Sequence, residues 1–392
     1  MAEQARRLSI VLTNNPVADA NLGHFATLTG SVQSVSLSSE AQGGFASAQL
    51  VLTLSRVEAF RLLTGAVGKR LVVYSAQSPK GIAWEGMVQT VAVEEGANPV
   101  TRTMADCHNR IEVVYATVDT STTPPTVGIQ ARTAQADNST SQASFGIRHL
   151  VYAIGGSNST NATALRDALL TQYGLPRAAA VSLGMGLNGD FDGGVTVTVD
   201  AVGFVESLDK RIWRTTATTA TATLDTIIKA ILTGVGQFVS SDQTQITANT
   251  YTRSQYFDQD LTARRTIDLL CALGDGATTR RRYFGIYENR VPYYTVEPVS
   301  PDYIVTRRNA NETIREASTG RPVMPWDVRP GKVVKVADVI PEGVQYSTVN
   351  EDVRTFVIGS TRWESPGKLI LTPITKDAAQ LTLARIGLTE IG

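Results

Sequence analysis

The sequence predicts an α+β protein dominated by β-structure, with two small β-barrels at the ends and α/β modules between them. Three observations lead to this fold class. Short runs that alternate apolar and polar residues fill both ends of the chain, strongly amphipathic helical patterns lie in the middle, and Gly, Pro and Asn turn signals separate the runs. The length of 392 residues suits about two to four domains rather than one core.

The first region, residues 1–117, is predicted to form an N-terminal β-barrel domain. One short helix is expected at 57–63, where Gly65 and Gly68 end it. The other elements are strands, because apolar residues recur there at every second position. The predicted strands are 31–37, 46–54, 70–74, 82–93 and 110–114.

An α/β insert is predicted over residues 118–202. The Thr/Ser/Pro stretch 121–125 marks its boundary, and the polar run 133–144 is interpreted as a surface loop. A core-facing helix is expected over 161–173, followed by a Val/Thr strand at 195–202. The apolar stripe of that helix is formed by Leu165, Ala168, Leu169 and Tyr173.

A second α/β module is predicted over residues 203–300, with two helices and a hairpin. The hairpin pairs 283–287 with 291–296, and the second helix covers 262–273. The first helix buries Leu224, Ile227, Ile228, Ile231 and Leu232, and the second buries Ala263, Ile267, Leu270 and Cys271. The last region, 301–392, returns to barrel strands at 332–336, 355–359 and 368–373.

Composition and charge argue against several classes of partner. Lys plus Arg equal Asp plus Glu at 36 each, so no net field gathers phosphates and no sequence-specific nucleic acid is expected. The basic cluster 280–282 is interpreted as the solvated entry to a strand. No apolar run is long enough to cross a bilayer, so no membrane insertion is expected. The N-terminus lacks a signal-peptide pattern, which predicts synthesis in a cytoplasm.

The residue types that commonly carry chemistry are scattered. Cys107 and Cys271 lie in apolar contexts and are expected to be buried free thiols. His24, His108 and His149 fall in separate segments without zinc-ligand spacing. If Cys107 and His108 lie on a strand they point to opposite faces, which favours a buried thiol beside a surface imidazole. We therefore expect no enzyme, no catalytic residue and no cofactor.

The loop 184–189 matches G-x-G-x-x-G, yet a β-branched strand and not a helix follows it, so a nucleotide site is not expected. The same loop offers Asn188, Asp190 and Asp192 before Gly193, which is how a calcium loop begins. Val199 occupies the position of the bidentate Glu. A hydrated loop without metal is the favoured interpretation, with calcium as the weak alternative.

The tryptophans lie beside strand-like runs, where an indole buries much area and still donates a hydrogen bond. We expect them to anchor the core or interfaces. They are Trp84, Trp213, Trp326 and Trp363.

Several groups of segments resemble one protein family when taken together. The matching segments are 44–48 with 68–74 and 83–88, then 137–139 with 145–148 and 164–176, then 261–274 leading into 284–298, and finally 325–331 with Asp338. They resemble the central hub proteins of bacteriophage tail tips. In the second group, Phe145 replaces the Tyr of the family pattern.

This resemblance implies a hub-like virion protein that joins the tail tube to the distal receptor-binding or puncturing apparatus. It implies a homotrimer whose barrels form a ring, with a tube or distal tail protein above and a fibre or spike protein below. Its place would be the tail tip of a virion, after synthesis in the host cytoplasm. No lysin domain is expected after the strand at 368–373. The alternative is a distal-tail adaptor or a carbohydrate-binding receptor protein of the tail.

Overall fold

The computed structural model describes residues 8–78, 81–95, 98–119, 121, 123–124, 126–179, 194–214, 221–254, 260–308, 311–337, 355–365, 367–374 and 381–383. Of the residues, 45% lie in strands and 22% in helices. The prediction of a β-dominated α+β fold is therefore confirmed. None of the sheets that these residues form is closed. Barrel closure at either end therefore stays a prediction.

The elements are numbered in chain order. The strands of the first half are β1 (Leu8–Thr13), β2 (His24–Thr27), β3 (Val32–Glu40), β4 (Gly43–Leu54), β5 (Arg70–Ser75), β6 (Ile82–Glu95), β7 (Asn98–Thr103), β8 (Arg110–Asp119), β9 (Thr126–Arg132), β10 (Ala136–Asp137), β11 (His149–Ser157) and β12 (Arg177–Ala179). Those of the second half are β13 (Val195–Val202), β14 (Thr221–Thr223), β15 (Thr252–Ser254), β16 (Arg282–Ile286), β17 (Pro292–Val296), β18 (Tyr303–Arg308), β19 (Asn311–Glu316), β20 (Val333–Ala337), β21 (Thr355–Glu364), β22 (Lys368–Pro373) and β23 (Leu381–Leu383). The helices are α1 (Arg56–Gly65), α2 (Ser139–Phe145), α3 (Ser159–Tyr173), α4 (Glu206–Asp209), α5 (Leu224–Val235) and α6 (Ala263–Ala272).

The largest sheet runs through antiparallel pairs in the order β2, β1, β5, β6, β13, β4, β3, β21, β22 and β23. Alternation along each strand supplies its core face, as β1 shows with Leu8, Ile10 and Leu12 all nearly inaccessible. The predicted strand 195–202 is confirmed as β13. It lies between β4 and β6, and β16 of the third region also pairs with β4, so this sheet combines strands from all four proposed regions. The division into regions stays a proposal.

Strands of the insert form a smaller sheet around β8, most of which belongs to the first region, and β8 pairs there with β9, β10 and β11. Helix α3 packs on it, with Leu165 and Leu169 against Val113 and Tyr115. The predicted stripe was wrong at Ala168, which is exposed, because the helix touches the sheet through a narrower strip than the apolar pattern indicates.

The surface loop predicted at 133–144 was wrong in its second half, where α2 begins. Asn138 explains the helix start, because its side chain accepts a hydrogen bond from the backbone N–H of Ser141 at 3.0 Å. A polar helix of this kind carries no apolar stripe that would identify it.

The helical middle agrees with the sequence. Helix α5 buries all five predicted apolar residues, and α6 buries all four of its own. The predicted hairpin is β16–β17, in antiparallel register from Arg282 and Val296 to Ile286 and Pro292. The tryptophans are buried as expected, with exposures of 1% to 8%.

The basic cluster 280–282 is not uniformly solvated, which corrects its interpretation as a strand entry. Arg282 is only 6% exposed and pairs with Asp275 at 2.6 Å. Its guanidinium also donates to the carbonyl oxygen of Thr247 at 3.0 Å and lies 4.8 Å from the ring centre of Tyr294. Arg281 next to it is exposed.

Candidate functional site

The structure does not unite the sequence candidates for chemistry. The loop with Asn188, Asp190 and Asp192 lies outside the described residues. His24 is exposed on β2, where its ring hydrogen-bonds Thr27 at 3.0 Å. Over the described ranges, no group of three or more His, Cys, Asp or Glu side chains could hold a metal ion.

Cys107 is a buried free thiol, as is Cys271. Burial raises the pKa of Cys107, and it raises the pKa of Cys271 to about 12. Because the thiolate is the nucleophilic form, these cysteines are poor nucleophiles.

The surface position expected for His108 was wrong. Residues 107–109 lie outside any strand, so the alternation on which that expectation depended does not apply. The imidazole is half-buried against Tyr173, with ring centres 6.4 Å apart, and desolvation lowers its pKa to about 4.

A buried charge cluster joins the insert sheet to the helical middle. Its centre is Glu112 on β8, whose side chain is 1% exposed. Arg214 donates to both carboxylate oxygens, at 2.9 and 3.0 Å. Gln135 donates at 2.7 Å, Arg132 at 3.2 Å, and the ring of His149 lies 3.0 Å away.

The electrostatics of this cluster suit a structural junction. Burial alone would raise the pKa of Glu112, but the hydrogen bonds from Arg214 and Gln135 outweigh it and lower the pKa to about 2. Desolvation lowers the pKa of the neighbouring His149 to about 4. At neutral pH the carboxylate is therefore ionised and saturated with donors, and it is too weak a base for proton transfer.

Several apolar side chains of the insert sheet are exposed where β8 ends and β9 begins. Val118 on β8 pairs with Val127 on β9, and Ile129 lies two residues further along β9, where the register between the two strands shifts. These residues are 39%, 73% and 84% exposed, and Tyr152 on β11 is 43% exposed. Because Tyr152 lies across β8 from β9, we call only Val118, Val127 and Ile129 the apolar outer patch.

The patch borders a strand edge. Within the described part of the chain, β9 pairs only with β8, so its other edge has no strand partner there. An edge strand with exposed β-branched side chains is a template for pairing with another chain. Such an arrangement suits assembly better than catalysis.

Sequence reasoning missed this surface because β9 follows directly on the Thr/Ser/Pro stretch 121–125 that marks the boundary. A signal was present, since Val127, Ile129 and Ala131 alternate with polar residues and glycine. The charge cluster around Glu112 carried no comparable signal, because its members are far apart in the chain.

No helix in the described ranges is long and apolar enough to span a membrane. No protein-family model matches the sequence, and no curated relative matches it.

Solved structures include similar chains. The 43 kDa tail protein of prophage MuSo2 from Shewanella oneidensis has a TM-score of 0.42 and 9% identity, over 97% of this chain and 96% of that one. A tail protein from Neisseria meningitidis MC58 has a TM-score of 0.39 and 8% identity, over 96% and 94%. At these TM-scores and identities the similarities carry no argument about function.

Proposed function

We propose that the chain is a structural protein of a bacteriophage tail, and that it acts as a hub at the tail tip. In this role it joins the tail tube to the distal receptor-binding or puncturing apparatus. It works as a homotrimer, with a tube or distal tail protein on one side and a fibre or spike protein on the other. It is not an enzyme, and it needs no cofactor, metal or sequence-specific nucleic acid.

The sequence supports the proposal through the order of its segments. Strand-rich regions at both ends flank the helical middle, and the segments 44–48, 137–139 with 145–148, 261–274 and 325–331 resemble the hub family in that order. The observation that carries the assembly role is the apolar outer patch. It places exposed aliphatic side chains at the end of β8 and on the edge strand β9, where a second chain would bury them.

Burying the side chains of the patch against a partner chain is favourable in free energy compared with leaving them exposed to water. Each fully buried Val or Ile side chain contributes about 1.5 to 3 kcal/mol relative to an exposed one. Binding of a partner chain at this edge is therefore favourable, because it would bury neighbouring exposed aliphatic residues.

Native mass spectrometry of the purified chain tests the proposal, and a trimer is expected. Ile129→Lys places a charge in the patch and should shift the population towards monomers. Val57→Lys is the matched control, because Val57 is 81% exposed on α1, far from the patch in sequence and on another element. It should leave the trimer intact.

Other results would redirect the assignment. A strict monomer at high concentration that does not bind tail-tube protein would contradict the hub. A hexamer would favour a distal-tail adaptor instead. Glycan binding without assembly would favour a receptor protein of the tail.

A further inference from the structure

A cavity of about 380 Å³ lies beside the β16–β17 hairpin, between it and the segment 327–332. We call it the tyrosine cleft, after Tyr283, Tyr287 and Tyr293 in its wall. Its volume falls within the range of about 300 to 1,000 Å³ that is usual for small-molecule sites. None of its lining residues belongs to the apolar outer patch.

The aromatic wall follows from hairpin register. Tyr283 pairs with Thr295 and Gly285 pairs with Tyr293, so all four residues point to one face of the hairpin. The rings of Tyr287 and Tyr293 meet edge to face, with centres 5.4 Å apart. A Cβ at Gly285 would lie 2.9 Å from Cε2 of Tyr287, so glycine leaves the space that this ring occupies.

The charges around the cleft balance. Arg329 forms an ion pair with Glu288, and its guanidinium lies 4.4 Å from the ring centre of Tyr287. Lys332 pairs with Asp302 at 3.2 Å. Since the cations have carboxylate partners, the cleft has no strong field for a phosphate or another multivalent anion.

The polar groups of the lining both donate and accept hydrogen bonds. Thr295 presents a hydroxyl and Gln245 an amide. Burial raises the pKa of Asp327 to about 7, and the opposing effect of a hydrogen bond from Ser78 is smaller. Around neutral pH this carboxyl group therefore populates both its accepting and its donating form.

We propose that the tyrosine cleft binds a small neutral saccharide. A sugar ring combines an apolar C–H face, which packs against an aromatic side chain such as Tyr293, with hydroxyl groups that donate and accept. Thr295, Gln245 and Asp327 supply the matching partners. This binding activity is independent of the proposed function in tail assembly, because it uses other residues.

Saturation-transfer NMR and titration of the full chain test the cleft. The probes are glucose, galactose, mannose, rhamnose, N-acetylglucosamine and their disaccharides. We expect at least one probe to bind with a Kd of about 1 mM or tighter. Tighter binding of a disaccharide than of its monosaccharide identifies a polymer as the source of the ligand, whereas equal binding identifies a free sugar.

Variants locate the binding. Tyr293→Ala removes the stacking ring and should weaken binding about three- to tenfold. Thr295→Val keeps the shape of the wall and removes one hydroxyl, and it should weaken binding about fivefold. Tyr251→Ala is the control, because Tyr251 is 42% exposed and lies outside the cleft lining.

Two results would overturn the inference. One is that no probe binds in the millimolar range. The other is that Thr295→Val and Tyr293→Ala bind a probe as tightly as Tyr251→Ala does. Because Thr295→Val preserves packing volume, loss of fold in the tyrosine variant would still leave a decisive measurement.

Discussion

The backbone N–H of Arg290 donates to Oε1 of Glu85 at 2.6 Å, and so ties the β16–β17 turn to strand β6. Asn289 and Arg290 both have left-handed backbone conformations, with φ of 59° and 62°. Such conformations are unfavourable for residues other than glycine unless their surroundings hold them. The same carboxylate accepts from Nε of Arg70 at 3.0 Å, with both side chains nearly inaccessible.

Glu85→Gln should lower the free energy of unfolding by about 3 kcal/mol, because it leaves the buried Arg70 cation without its counter-charge. Chemical denaturation measures the loss. Asp167→Asn is the matched control, since Asp167 pairs with Arg166 but is 57% exposed, and its effect should stay below about 1 kcal/mol. Equal losses of stability in the two variants would show that the buried Glu85–Arg70 pair contributes no more than an exposed pair.

Gly203→Ala should destabilise the chain by about 3 kcal/mol or more, because its Cβ would overlap the carbonyl oxygen of Phe45 on β4. The backbone at Gly203 already donates to Ala46 at 2.8 Å, which fixes the two segments at close range. Gly155→Ala is the control, since a Cβ there meets nothing within 4 Å. Thermal melting of both variants distinguishes them, and an unchanged Tm for Gly203→Ala would contradict this packing.

Substitution by Lys should change stability by different amounts at the adjacent residues Arg281 and Arg282. Arg282→Lys loses the planar fork that reaches Asp275 and the Thr247 carbonyl oxygen together, and it should cost about 2 kcal/mol of stability. Arg281→Lys changes an exposed side chain and should stay within about 0.5 kcal/mol. Urea denaturation midpoints test the difference, which would vanish if both side chains were solvated.

His149 should make stability sensitive to mild acid. Its folded-state pKa of about 4 lies below the ordinary value of 6.5, so between these values the unfolded chain binds the proton and the folded chain does not. Stability from this group is complete above pH 6.5 and falls by up to about 3 kcal/mol as the pH drops towards 4.

His149→Gln removes this titration, so the variant should lose less stability than the wild type between pH 6.5 and 4. Denaturation curves at several pH values measure the change. The control variant is His24→Gln, which changes an exposed side chain and leaves His149 in place. Since His108 has the same direction of shift and is present in every variant, the difference isolates His149.

Local pattern predicted the buried apolar residues of α5 and the bounds of α6 to within a residue at each end. Their apolar residues repeat with helical spacing, and a helix closes its hydrogen bonds within its own segment. Apolar residues at helical spacing did not predict α2, because this helix begins at the Asn138 cap and has no apolar stripe. Local pattern also missed β9, where the adjoining turn residues obscured the alternation.

The sequence by itself determined the β-dominated fold class, the amphipathic helices and the burial of the cysteines and tryptophans, because each of these follows from local periodicity or from side-chain chemistry. Only the tertiary structure decided that β13 lies between β4 and β6 and that β21 pairs with β3. It also decided which of two neighbouring arginines is buried and which strand edge lacks a strand partner among the described residues. Alternation specifies that a strand has a buried face, but its hydrogen-bond partners come from distant segments that no local pattern identifies.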